Sequence, residues 1–228
     1  MKLSFPIYRL KRQAKLLARE QNIALHLALD KVAQSEGFRS WSHLSDSQPQ
    51  CVSVSALLAA CKPGELVLLA ARPGHGKTLL ALDVLAEAIK TGRNAYFFTL
   101  EYNRDDLLAR EESGIQIDTS DGICADHVTR TLRDVPEGAV AAIDYLQLLD
   151  QKREFPPLSD QVDVLKRLAK ARGITILALS QIDRRFEAIA SALPGFDDIR
   201  LPNPVDLSLI SKACFLHDGR ARLETQAA

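Results

Sequence analysis

Apolar positions follow two different rhythms along the 228-residue chain. Up to about residue 48 they recur at helical spacing: Ile7, Leu10, Ala14 and Leu17 share one face, and Leu25, Ala28, Leu29, Val32 and Ala33 share another. This predicts two helices with no strand between them. Gly37 is placed to end the second helix, and Ser40 to cap a short turn whose Trp41 and Leu44 close the apolar side. Residues 45–50 (SDSQPQ) are polar, contain a proline and show no period, which marks a linker. Residues 1–48 are therefore expected to form a small all-helical module, and residues 49–228 a separate domain.

From Val52 onward, short apolar runs alternate with helical stretches, the rhythm of a mostly parallel α/β sheet flanked by helices. Strands are predicted at 65–70 (ELVLLA), 95–100 (AYFFTL), 114–118, 139–144 (AVAAID) and 174–179 (ITILAL). Helices are predicted over 77–91, 103–112, 121–132 and 159–172, with Asn103, Ser120 and Ser159 as N-caps and Gly92 and Gly173 after last turns. Residues 212–217 and 220–225, joined by Asp218-Gly219, read as a hairpin.

Composition narrows the class. Hydrophobic residues make up 46% and charged residues 25%, as in a folded globular protein rather than a disordered chain or a fibre. The 29 basic residues balance the 29 acidic ones, so any surface facing nucleic acid must be local. No apolar run approaches the roughly 20 residues of a membrane span, and the start of the chain has no signal-type core, so a cytoplasmic protein without a membrane partner is expected. The four cysteines form no CxxC pair and suit buried thiols in a reducing compartment; Cys124 and His127 read as one face of a helix rather than half of a metal site.

The strongest chemical signal is ARPGHGKT: Ala71, Arg72, Pro73, Gly74, His75, Gly76, Lys77 and Thr78, set between an apolar strand and a helix. Glycines there let successive amides point at an anion, the helix N-terminus adds its positive end, Lys77 supplies charge to phosphates and Thr78 an oxygen for Mg²⁺. The anomaly is Ala71, where the general motif has Gly. Asp144 ends a strand, where a carboxylate at the carboxyl edge of a parallel sheet reaches a metal-bound water near the phosphates. Glu101 is delivered to the same edge as a candidate general base, and Gln181 to the same edge as a hydrogen-bonding group for a γ-phosphate. ATP and Mg²⁺ are the expected ligands.

Three stretches, ARPGHGKT, FTLE ending at Glu101, and IDYLQLL (143–149) with LKRLAKARGITILALSQ (165–181), together resemble the ATPase domain of DnaB-type replicative helicases, within the RecA-like group. The resemblance runs from about Val54 to Leu223 and takes in IDTSDGI (117–123). It implies a RecA-like P-loop NTPase fold, and in that family the loop also begins with Ala. It also implies Lys77 and Thr78 at phosphate and Mg²⁺, Glu101 as catalytic base, Asp144 as metal-side carboxylate and Gln181 as γ-phosphate sensor. Arg110 falls where the family has an arginine near the nucleotide; a solvated helix charge is the other reading. Three departures stand out: the chain is shorter between Glu101 and Ile117, the helical module replaces the family's amino-terminal domain, and the late basic finger is missing or reduced to Arg220 and Arg222. A homo-oligomeric, hexameric ring is what the resemblance implies, and the reduced finger leaves it open.

In the family, single-stranded DNA is met by loops after the Asp144 and Gln181 strands. Here these are 150–158, with Lys152, Arg153 and Phe155, and 182–204, with Arg184, Arg185 and Arg200. The basic first helix could add phosphate contacts or bind an unidentified protein. The reading is a Mg-ATP hydrolase coupled to DNA, helicase- or translocase-like. The rival is a nucleotide-responsive regulatory or protein-binding module of the KaiC-like type, without helicase activity.

Overall fold

The computed structural model describes residues 4, 7–21, 23–46, 52–102, 105–107, 113–150, 152, 154–188, 193–200 and 205–226. They fall into two compact units, one of residues 1–51 with 218–221 and one of residues 52–217 with 222–228.

In the first unit, α1 (Ile7–Glu20) packs on α2 (Leu25–Ser35), and α2 on the short α3 (Trp41–Asp46). Leu10, Ala14, Ala28, Val32, Ala33, Phe38 and Leu44 form its core, with Leu17, Leu29 and Trp41 packed against it; the side chain of Ile7 lies outside the described residues. Gly37 ends α2 at φ 85°. The Gly37 amide donates to the Gln34 carbonyl at 3.0 Å and the Phe38 amide to Ala33 at 2.9 Å, a Schellman pair that only a left-handed residue closes cheaply. Ser40 caps α3, its hydroxyl accepting from the His43 amide at 3.2 Å. That helix runs through Ser45 and Asp46, so the first two residues of the expected linker are helical; residues 47–51 lie outside the described ones.

The second unit is a seven-stranded sheet. Its strands are β1 (Leu66–Ala71), β2 (Ala95–Thr99), β3 (Gln116–Asp118), β4 (Val140–Asp144), β5 (Thr175–Gln181), β6 (Lys212–His217) and β7 (Arg220–Thr225), in spatial order β3-β2-β4-β5-β1-β6-β7. β1 runs parallel between β5 and β6, and β4 parallel between β2 and β5. Every residue of β1, β2 and β4 is buried, which is why these strands read as unbroken apolar runs: both faces are covered. One face carries α5 (Lys77–Lys90), in contact with β1, β2, β4 and β5, with α4 (Val54–Ala60) beside it. α7 (Leu158–Arg172) contacts β1 and β5, with α6 (Ala125–Thr131) packed on it. Asp218 (φ 49°) and Gly219 (φ 76°) make the tight turn into β7 that the Asp-Gly pair predicts.

Several elements differ from the sequence expectation. α4 carries no charged residue and only two turns, too little for periodicity to register, yet Ser53 caps it by accepting from the Ala56 amide at 3.1 Å. The helix expected from Asp121 begins at Ala125 instead, with Cys124 rather than Ser120 as N-cap. Ser120 is used earlier: its amide donates to Asp118 Oδ1 at 2.9 Å, a local turn that delays the helix. Likewise α7 starts at Leu158 after Pro157, so Ser159 lies inside the helix and is no cap. Of the helix expected over 103–112, residues 105–107 form a 3₁₀ turn; Asn103 and the rest, apart from those three, lie outside the described residues.

Polar residues pin the layers. Buried Gln161 accepts from the Ala125 amide at 2.8 Å and donates to the carbonyls of Leu149 at 2.9 Å and Pro156 at 2.8 Å, so one amide fastens α6, α7 and the chain after β4. His127 Nε2 meets Asp118 Oδ2 at 2.6 Å; burial opposes the Asp118 charge, but His127 and the Ser120 amide outweigh it and hold the carboxyl below its usual range. Cys124 and His127 thus serve α6 and β3 in packing and hydrogen bonding. Cys61, Cys124 and Cys214 are buried and form no disulfide among the described residues, and burial pushes Cys61 up to about 11; Cys51 lies outside the described residues. Among the described residues no helix is long and apolar enough to cross a membrane.

Candidate functional site

β1 remains a strand through Ala71, so the loop needs no glycine at its first position. The left-handed residues come later, Gly74 at φ 80° and Gly76 at φ 88°, with Gly76 as the N-cap of α5. A Cβ on Gly76 would meet nothing within 4 Å, so substitution there costs backbone conformation alone. Gly76→Ala is expected to destabilise the loop by about 1–2 kcal/mol, which a thermal melt reads as a Tm lower by about 2–8 °C. This turn leads directly into the N-terminus of a 14-residue helix, whose positive end favours an anion.

Neighbouring strands bring the other side chains to the same edge. Thr99 and Asp144 are register partners at the ends of β2 and β4, and Ala71 and Gln181 at the ends of β1 and β5. The Thr99 hydroxyl accepts from the amides of Glu101 at 3.1 Å and Tyr102 at 3.3 Å, a turn that sets Glu101 beside the loop. Lys77 Nζ lies 3.0 Å from Asp144 Oδ1 and 3.2 Å from Glu101 Oε2, and 5.1 Å above the Tyr145 ring. The Thr78 hydroxyl donates to Asp144 Oδ2 at 2.7 Å. Burial works against the charge on Lys77, but the Asp144 and Glu101 carboxylates outweigh it and hold its pKa above the usual lysine value. Asp144 is 1% exposed and Lys77 7%, so this pair is shielded from solvent, whereas Glu101 is exposed.

A 360 Å³ cavity opens over the cluster, lined by Pro73, Gly74, Gly76, Lys77, Thr78, Leu79, Glu101, Tyr102 and Gln181. A larger one of 410 Å³ lies along β2 and β3, lined by Tyr96, Phe98, Asp118 and Thr131 among others, and none of the phosphate-loop residues reaches it. The hydroxyl of Thr78 and the carboxylate of Asp144 are hard oxygen donors in contact with each other, the type of pair that suits Mg²⁺. His75 stacks on His217 with ring centroids 4.8 Å apart, and Phe186 meets His217 edge-on.

The structure thus brings Lys77, Thr78, Glu101, Asp144 and Gln181 together with the loop 71–76. Arg72 does not face the cavity lining: its Nη1 donates to the Ile182 carbonyl at 3.0 Å. Arg110 and Arg153 lie outside the described residues. Lys152 sits over the Phe155 ring at 5.5 Å, and Arg184, Arg185 and Arg200 are exposed beyond β5. Arg222 is engaged within the chain, with Glu224 at 2.6 Å and the Pro194 carbonyl at 3.2 Å. Tyr145 and Thr99 were not legible as site residues: Tyr145 follows Asp144 in IDYLQLL and Thr99 precedes Glu101 in FTLE, but only the folded edge shows what each touches.

A parallel sheet with the glycine loop after an inner strand, and carboxylates at the ends of two strands nearby, is the RecA-like P-loop architecture. The chain belongs to the DnaB-like helicase C terminal domain family, whose model matches residues 50–125 and 111–205. It is 27% identical over 179 residues to the replicative DNA helicase DnaB of Leifsonia xyli, covering 60% of this chain and 39% of that protein. It is 28% identical over 177 residues to a probable plasmid replicative DNA helicase of Chlamydia trachomatis, with the same shares of each. The chain therefore spans about two fifths of the length of these curated relatives. Two solved structures share the fold at 20% identity: an ATPase domain solved by itself, with TM-score 0.59 over 85% of this chain and 83% of that one, and a DnaB-like replicative helicase studied with primase, with TM-score 0.61 over 92% and 67%.

Proposed function

We propose that the chain is a Mg-ATP-dependent hydrolase coupled to single-stranded DNA, with residues 1–48 as a distinct helical module. The observation that carries this is the convergence of Lys77, Thr78, Glu101 and Asp144 on one sheet edge beneath a glycine loop. Amides of Gly74, Gly76 and the first turn of α5 hold the β and γ phosphates, and Lys77 turns from its carboxylate partners to the phosphate oxygens. Thr78 and Asp144 would hold Mg²⁺, which would supply positive charge against that developing on the phosphate oxygens. Glu101 orients a water and takes its proton as the water oxygen bonds to the γ-phosphorus and the bridging P–O bond to ADP breaks. Gln181, on the cavity wall, senses the γ-phosphate.

Lys152, Arg184, Arg185 and Arg200 are the residues assigned to the DNA backbone, whose contacts would be strongly salt-dependent. A hexameric ring working in the cytoplasm is part of the same proposal. Arg222, a candidate for its trans-acting arginine, would have to leave Glu224 and the Pro194 carbonyl to reach a neighbour. The test is steady-state ATP turnover of the full chain with Mg²⁺ across a titration of single-stranded DNA. Turnover that rises severalfold with DNA is the expected result. Turnover indifferent to DNA overturns the coupling and leaves a nucleotide-responsive, KaiC-like binding module.

A further inference from the structure

The chain leaving β5 returns to it. Ile182 pairs with Ile199 in an antiparallel bridge, the Asp183 amide donates to the Asp198 carbonyl at 2.7 Å, and the Arg200 amide donates to the Gln181 carbonyl at 2.8 Å. The same segment is fastened to the phosphate loop: the Ile182 amide donates to the Ala71 carbonyl at 3.0 Å, and Arg72 Nη1 to the Ile182 carbonyl at 3.0 Å. Arg200, which belongs to the basic set assigned to DNA, therefore hangs by its amide on the residue assigned to the γ-phosphate.

Its carbonyl is held from another element. After β4 the chain makes a 3₁₀ turn, Leu146–Leu148, and the Gln147 side chain reaches across to β5. Gln147 Nε2 donates to Ser180 Oγ at 2.6 Å and to the Arg200 carbonyl at 2.7 Å. Both amide hydrogens are thus committed, one to the residue before Gln181 and one to Arg200. Both bonds are short, so a displacement of β5's end on the order of 1 Å relative to the returning strand cannot be absorbed without breaking one of them. Gln147 Oε1 is shielded from solvent and accepts no hydrogen bond from the described residues. An amide with two used donors and an unused buried acceptor has a second arrangement open to it, in which the acceptor is satisfied.

We propose that Gln147 is a positioning residue that couples the nucleotide state at Gln181 to the placement of Arg200 against single-stranded DNA. The coupling rests on the function proposed above and adds its route. Movement of the strand end that carries Ser180 and Gln181 reaches Arg200 twice without passing through the rest of the loop, at its amide through the Gln181 carbonyl and at its carbonyl through Gln147, and only the two ties together fix its placement. Two discrete arrangements of one side chain suffice for this.

The experiment compares binding of a fluorescent oligo-dT by the full chain with Mg-ATPγS and with Mg-ADP, for the unsubstituted protein and Gln147→Leu. In parallel, hydrogen exchange of the Asp183 and Arg200 amides is followed in both nucleotides. For the unsubstituted chain the two affinities are expected to differ by about 5- to 150-fold, the usual span of coupled sites. In Gln147→Leu that ratio is expected to collapse toward one, the Arg200 amide to exchange alike in both nucleotides, and binding of a fluorescent ATP analogue to stay unchanged. Ser180→Ala, which cuts only the tie to β5, is expected to reproduce the loss if Gln147→Leu does not fold. A ratio that survives both substitutions overturns the coupling. Equal binding of oligo-dT by the unsubstituted chain in the two nucleotides overturns the coupling, whereas no binding at all means that the DNA reading fails by itself. Gln147 is then judged by Arg200 exchange alone: nucleotide-dependent protection lost in Gln147→Leu supports it, and protection that is retained or never present overturns it.

Discussion

Glu101→Gln is expected to lower ATP turnover by about 10²- to 10⁴-fold, the usual contribution of a positioned general base, while ATP binds as before. The separation follows from where Glu101 sits. Its backbone is fixed by the Thr99 hydroxyl and its side chain is on the cavity wall, so the isosteric amide keeps the turn and the shape and loses the ability to accept a proton, together with the charge facing Lys77, which Asp144 still pairs. Single-turnover hydrolysis alongside equilibrium binding of a fluorescent ATP analogue checks both halves. Binding lost in parallel with turnover would mean that Glu101 holds the loop through Lys77 rather than serving the water.

Lys77→Met should have two effects of different origin. It removes the cation facing the phosphates, so nucleotide affinity falls. It also strips the buried Asp144 carboxylate of its ion-pair partner, leaving the Thr78 hydroxyl. Removing one member of a buried pair costs about 3–5 kcal/mol, so the Tm measured without nucleotide should drop by about 6–20 °C. Adding Asp144→Asn should restore most of that loss, because no charge then stays buried, while nucleotide binding stays lost; this double-mutant comparison isolates the pair. The pH dependence has a fixed sign. Because Lys77 is held above its ordinary value of 10.5, its contribution is fully present below that value and is lost as pH rises through the raised one. The stability gap between the two proteins should therefore narrow only under strongly alkaline conditions.

Where the sequence was legible, local chemistry and long-range order agreed. The inner strands β1, β2 and β4 are buried on both faces, so they could be read as apolar runs, and the glycine loop was read because its residues are contiguous. Lys77, Glu101 and Asp144 are distant in sequence, yet the rule that parallel strands deliver their carboxyl ends to one edge was enough to group them. Ser120 and Ser159 were misplaced as caps because a serine near a helix start has competing uses: Ser120 serves a turn with Asp118, and Pro157 starts α7 before Ser159 is reached. Gln161 carried no signal, and Gln147 lay inside IDYLQLL without any sign of its own role. An amide's value depends on which donors and acceptors the fold sets around it, and those of Gln147 come from Ser180 and Arg200.

The position of β1 has a consequence for synthesis. Leu66 is paired with Ile176 and Val67 with Lys212, so the strand that presents the glycine loop gains both flanks only from segments translated much later. On the ribosome that strand emerges before its partners and stays without its flanks until β5 and then β6 arrive. The loop therefore takes its shape only once β6 has followed, and a nascent chain stopped before β6 carries every residue of the motif without the framework that would make it bind.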